Sequence, residues 1–296
     1  MGQRIFAAAA AGTCQYPAFG RSGRIAAHHD FAEALRSAGT FDPNGPYGEP
    51  LREALSQGDV LLSSEVFPHR PAIYHSLAEF AGADGHKVQL IFVVRDPVNR
   101  INSMYTQNVK AFRFSGTLEQ FVFERKLDVR LELRKYCKKA EKSGVSVSLA
   151  PFGPSMEGTY RRIAERVGLG APSADADLGV VNQSLSPAAT RLTLEHGQAI
   201  DVRGRYRALT AADAQFGMKG YFGFNDALIA RTLDLLRDEY QDVHYDEALV
   251  GEVEPWRWPE SYKPENSTVS DEDYAAYRDF VFSQLEAANP GWRRPS

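Results

Sequence analysis

The chain of 296 residues holds two cysteines, Cys14 and Cys137, far apart and without a CxxC pair. That scarcity excludes a zinc ribbon, a dithiol redox motif and a disulfide framework. Seven histidines are present, His28 and His29 side by side, but none has HxxxH or HExxH spacing, so no metal site is expected. No apolar run approaches the ~20 residues of a membrane span. The N-terminal IFAAAAAG resembles a signal peptide only faintly: the run is short, Ala-rich and stopped by Gly12, so a cytoplasmic location is expected. Asn266-Ser267-Thr268 matches a glycosylation acceptor, which matters only in a secretory context. An excess of positive charge is also missing. With 34 Lys and Arg against 38 Asp and Glu, the net charge is −4, which argues against general nucleic-acid binding. A local basic pocket for one phosphorylated ligand remains compatible with that balance.

What is present is ordinary globular composition, 43% hydrophobic and 24% charged, in a chain long enough for a sizeable core. Short apolar runs alternate with helical periodicity. Residues 4–12, 25–38, 51–57 and 71–82 read as helices, with Gly39 a stop for the second. Residues 59–67 (DVLLSSEVF) read as a buried parallel strand whose end opens into small polar residues. Val88–Val94 is a stronger strand, residues 145–152 a third. Further helices are expected from Pro97 to about Val109, over 117–142, over 154–168 ending at Gly168, and over 186–199, 225–240 and 270–288, the last capped by Ser270. The alternation predicts an α/β fold with a parallel sheet flanked by helices and a helical C-terminal portion from about residue 200, in a single domain. Bland readings suffice for three segments. Residues 124–142 are a solvated charged helix, Arg203-Gly204-Arg205 a loop with two exposed arginines, and Trp256 and Trp258 loop packing, although a carbohydrate platform is open for the tryptophans.

The segment with most chemical content runs from Arg95 to Tyr105. In an open α/β sheet, ligands bind at the carboxyl ends of strands, where a helix N-terminus offers free N–H groups and a positive dipole end. Arg95 at such a strand end carries a forked guanidinium suited to phosphate, and Arg100 and Ser103 follow on the next helix. These three either converge on one anion, or Arg95 pairs with Asp96 or a neighbouring acid while Ser103 packs locally.

An apolar strand, then Arg95-Asp96-Pro97, then Arg100 and Ser103, resembles the 3'-phosphate-binding motif of sulfotransferases that use 3'-phosphoadenosine 5'-phosphosulfate. Flanking pieces agree in order with the bacterial and carbohydrate-type branch: Tyr16-Pro17 through His28-His29, Leu61-Leu62-Ser63-Ser64-Glu65, Ser146 to Phe152 with its helix closing on Val167-Gly168-Leu169, and Asn182-Gln183-Ser184. The resemblance spans roughly residues 10–200. It implies a P-loop nucleotide-hydrolase-like fold and sulfuryl transfer from that co-substrate to a hydroxyl or amine of a carbohydrate or small metabolite. It also implies a 3'-phosphate held by Arg95 and Ser103 with Arg100 in support, and Glu65 as the base, its pKa raised by partial burial. The alternative for Glu65 is a local ion pair with Arg95 or His69.

One departure stands out. The family opens with a strand and a Gly-rich loop carrying Lys, which cradles the 5'-phosphosulfate. Neither Ala11-Gly12-Thr13 nor Gly20-Arg21-Ser22-Gly23 follows a recognisable strand or contains Lys. The expectation is therefore a protein that begins inside the family's first helix and transfers sulfate poorly or not at all unless residues upstream supply the loop. The rivals are a non-catalytic nucleotide-binding or interaction protein on the same fold, and a kinase, which the absent GxxxxGK[ST] loop disfavours.

Overall fold

The computed structural model describes residues 2–9, 12–22, 26–67, 70–95, 97–124, 133–152, 156–170, 185–218, 225–240, 247–250 and 269–295. The chain falls into two compact bodies. The first takes Met1–Arg95, Glu132–Val181 and Asp242–Arg257; the second takes Asp96–Leu131, Asn182–Gln241 and Trp258–Ser296. Each thus draws on segments from before and after residue 200.

The first body is α/β. Helices α1 (Gly2–Ala8), α2 (His29–Ala38), α3 (Gly48–Gln57) and α4 (Pro71–Ala83) surround strands β1 (Cys14–Gln15) and β2 (Asp59–Val60). Strand β3 (Gln89–Val94) leads out, and α7 (Leu133–Lys142), β4 (Ser146–Pro151), α8 (Met156–Arg166) and α12 (Glu247–Val250) return. Both strand pairs are parallel: β1 with β2, Cys14 opposite Asp59, and β3 with β4, from Gln89 opposite Ser146 to Val94 opposite Pro151. Alternation along the strands sorts side chains into separate cores, as a period of two requires. Leu61, Ile91 and Val93 join Phe6, Cys14, Ile163 and Leu249 beneath α1, α8 and α12. Val60, Leu62 and Val88 join Phe31, Leu35, Leu51 and Ile73 beneath α2, α3 and α4. Burying one Leu, Ile or Phe side chain in such a core contributes about 1.5–3 kcal/mol, the main term favouring these layers. The parallel strands, and helices on both sides of them, are as the α/β reading expected.

Two details differ from the sequence reading. The strand expected over 59–67 forms its ladder only at Asp59–Val60. Beyond it, His28 takes over the backbone pairing: its N–H donates to the Ser63 carbonyl at 2.8 Å, and its Nδ1 accepts from the Ser63 N–H at 3.2 Å. A strand unforeseen in the sequence, Cys14–Gln15, pairs with β2, so the Gly20-Arg21-Ser22 loop does follow a strand. It is close-packed. A Cβ on Gly12 would lie 2.1 Å from the Gly168 carbonyl oxygen, and one on Gly168, at φ +77, 2.0 Å from Thr13 Oγ1. Glycine at both positions lets the end of α8 close on the entry to β1, where the Cys14 N–H donates to the Gly168 carbonyl at 3.2 Å.

The second body is helical among its described residues: α5 (Pro97–Lys110), α6 (Leu118–Glu124), α9 (Pro187–His196) with a 3-10 turn Gly197–Ile200, α10 (Arg205–Phe216), α11 (Asp226–Tyr240) and α13 (Asp271–Ala288). Its core gathers Leu185, Leu192, Ile200, Leu209, Tyr277, Val281, Phe282 and Leu285. Side-chain caps start four of these helices, Thr117 and Asn225 serving α6 and α11. Ser186 Oγ accepts from the Ala189 N–H at 3.1 Å and Ser270 Oγ from the Asp273 N–H at 3.0 Å. Ser186 also donates to the half-buried Asp213 carboxylate at 2.5 Å, which takes a second hydrogen bond from Tyr277 at 2.8 Å. Burial pushes the Asp213 pKa up despite both donors.

Candidate functional site at the carboxyl ends of the parallel strands

The four strands described in the first body are parallel in their pairs, and the candidate residues Glu65 and Arg95 lie past the carboxyl ends of β2 and β3. The last hydrogen bond between β3 and β4 runs from the Phe152 N–H to the Val94 carbonyl at 2.8 Å. The next residue, Arg95, is half-buried, with its guanidinium carbon 4.0 Å from the centre of the Phe152 ring. Stacking on the Phe152 ring holds the planar guanidinium in place on one face. Asp96, the acid weighed as an alternative partner, lies outside the described residues, as does His69.

Glu65 follows the extended stretch 61–64 in a turn and is exposed rather than partly buried. The turn arises because Ser64 Oγ accepts from the Val66 N–H at 3.2 Å, bending the chain outward. Ser64 Oγ is also 2.7 Å from His29 Nδ1 on the first turn of α2, tying the two segments together. A third group at this edge was not legible in the sequence. Tyr160 of α8, half-buried with its ring 5.3 Å from that of Phe6, feels both the Glu65 carboxylate and the Arg95 guanidinium. Burial and Glu65 push its pKa up while Arg95 pulls it down. The phenol therefore stays protonated between a carboxylate and a cation.

The loop after β1 is folded onto itself. Arg21 donates through Nε to the Pro17 carbonyl at 2.7 Å and through Nη2 to the Tyr16 carbonyl, with its guanidinium over the Tyr16 ring at 4.5 Å. Burial lowers its pKa. Ser22 donates to Asp30 at 2.5 Å. His28 is fully buried. With Nδ1 accepting from Ser63, its Nε2–H donates to Pro17 at 3.1 Å, so the ring is neutral. Burial pulls its pKa down to about 4. Its role, just ahead of α2, is packing and backbone pairing.

Glu65 and Arg95 thus share one edge of the first body, while Arg100 and Ser103 belong to the second. They sit three residues apart on α5, hence on one helix face, both half-buried. The Asn182-Gln183-Ser184 segment, Trp256, Trp258 and Asn266 lie outside the described residues. No cluster of histidine, cysteine or acidic side chains able to hold a metal occurs among the described residues, and none of their helices is long and apolar enough to cross a membrane. No protein family, no curated protein and no solved structure matches the chain.

Proposed function

We propose that this chain is a sulfotransferase-like protein on a P-loop nucleotide-hydrolase-like fold, using 3'-phosphoadenosine 5'-phosphosulfate as co-substrate and a carbohydrate or small-metabolite hydroxyl or amine as acceptor. The observation that carries the reading is the first body's strand edge, where a parallel strand delivers Arg95, stacked on Phe152, and where the charges of Arg95 and Glu65 both act on Tyr160. A guanidinium so held suits a phosphate dianion, which takes two parallel N–H donors. The sequence motif assigns Arg100 and Ser103 to the same phosphate. In the reaction, an acceptor oxygen or nitrogen forms a bond to sulfur as the bond from sulfur to the bridging phosphate oxygen breaks. Glu65, exposed to an incoming acceptor, takes the acceptor's proton, and Tyr160 is a positioned donor beside it.

A second reading has its own support. Arg21 spends its donors on the carbonyls of Tyr16 and Pro17, and the loop has no lysine, so the groups that would stabilise a leaving phosphate are not displayed there. On that reading the chain binds nucleotide without transfer. Incubation with radiolabelled co-substrate and a panel of hydroxylated acceptors separates the two. Label moved to an acceptor, and lost in Glu65→Gln, supports the enzyme. Nucleotide binding without transfer supports the binding protein, and neither activity in the folded chain rejects both.

A further inference from the structure

We infer that the second body carries a binding surface for an anionic carbohydrate chain, centred on the exposed ring of Tyr206. The surface lies where the end of α5 meets the start of α10. Tyr206 is 49% exposed, unusual for so large a side chain in this protein. Its ring is fixed from two sides of the chain: the Lys110 ammonium lies 4.7 Å and the Arg205 guanidinium 4.6 Å from its centre. Arg205 also donates to the Tyr206 hydroxyl at 2.7 Å and to the Lys110 carbonyl at 3.2 Å. Contrary to the exposed-loop reading of Arg203-Gly204-Arg205, Arg205 is buried, ion-paired to Asp201 at 3.2 Å and stacked on Phe112, whose backbone sits at φ +54. Arg205 is the post that holds the platform.

The one carboxylate described at that post, Asp201, is taken up by Arg205 itself. Arg113, Arg203 and Arg207 are exposed and have no carboxylate partner among the described residues. Elsewhere in this body most described arginines are paired, Arg191 with Glu195 and Asp271, Arg231 with Glu119, Arg237 with Asp234, Arg278 with Asp279 and Arg294 with Glu286, while the exposed Arg293 donates to the Trp292 carbonyl. Among the described residues, unpaired arginines thus adjoin in sequence the residues that fix the exposed Tyr206 ring, in a chain whose net charge is −4. A flat ring held in place at no cost in ordering suits stacking against a sugar face, and arginines around it suit carboxylate or sulfate substituents. The overall negative charge and the single ring favour an acidic polysaccharide over a nucleic acid, whose binding rests on a wide basic surface and serial stacking. This inference extends the proposed acceptor class, yet it concerns binding alone and stands without catalysis.

The test is calorimetric titration of the full chain, without nucleotide, using an oligogalacturonate, a neutral glucan oligomer of equal length and an oligothymidylate. The oligogalacturonate is expected to bind and the neutral glucan not. An Arg203→Gln/Arg207→Gln variant is expected to lose at least about tenfold in affinity and to show a shallower salt dependence, as fewer ionic contacts require. Tyr206→Ala is expected to lose a similar factor, and Tyr206→Phe, which keeps the ring, to retain most binding. Circular dichroism confirms that each variant is folded. Equal binding of the neutral glucan, tighter binding of the oligothymidylate, no binding, or unchanged affinity in the arginine variant would each overturn the inference. Because Arg95 and nucleotide are not involved, failure here leaves the sulfotransferase reading standing, and the converse also holds.

Discussion

His28 makes the first body sensitive to acid by an amount that follows from its contacts. The neutral ring accepts the Ser63 N–H and donates to Pro17, buried beside the Tyr16 ring at 4.6 Å. Its pKa falls from 6.5 to about 4, mainly through desolvation. As pH drops, the unfolded chain therefore takes up a proton that the folded chain refuses. Stability is full above about pH 6.5 and drains as pH falls toward about 4. Each unit is worth about 1.4 kcal/mol, so the loss reaches about 2 kcal/mol near pH 5 and about 3 near pH 4. In His28→Leu the Pro17 carbonyl keeps its bond from Arg21, but the Ser63 N–H is left unpaired. That costs about 2 kcal/mol at neutral pH. Urea unfolding of both proteins, followed by circular dichroism across this pH range, tests the reasoning. The wild type should be the more stable at neutral pH, and its advantage should vanish near pH 5. A gap that does not change with pH would refute the account of His28 as a buried neutral clamp.

Other consequences are direct. Gly168→Ala should destabilise the first body by about 2 kcal/mol or more in thermal unfolding, because φ +77 and the contact with Thr13 Oγ1 leave no room for a Cβ. Ser270→Ala should cost about 1 kcal/mol by loss of one helix cap. Ser186→Ala should cost roughly twice as much, since a donor to the half-buried Asp213 carboxylate goes with the cap. Glu65→Gln should lower any sulfuryl transfer at least about a hundredfold while leaving affinity for adenosine 3',5'-bisphosphate unchanged, as measured by initial rates and by titration.

The strong strands and most helices were legible because their signals are local. Leu90–Val94 is a continuous apolar run, and Gly39, at φ +77 with its N–H on Leu35, stops α2 where its residue type suggested. Strand β1 was not legible. Two residues between Gly12 and Pro17 carry no period, and they are a strand only because β2, 45 residues on, supplies the partner. The same long-range dependence hid three side chains at functional places. Tyr160 reads as part of an apolar helix face, and its position between Glu65 and Arg95 exists only after folding. Arg205 reads as a loop arginine, and only the end of α5 buries it. Glu65 was legible as a strand-end acid but not as exposed, because the turn that lifts it out depends on Ser64, bonded to His29 and to the Val66 N–H.

The most direct measurement of the central claim is calorimetric titration of the chain with adenosine 3',5'-bisphosphate, beside Arg95→Ala. The account predicts binding by the wild-type chain and a loss on the order of 2 kcal/mol, about thirtyfold, in the variant. A folded chain that does not bind, or a variant that binds as well as the wild type, would contradict it.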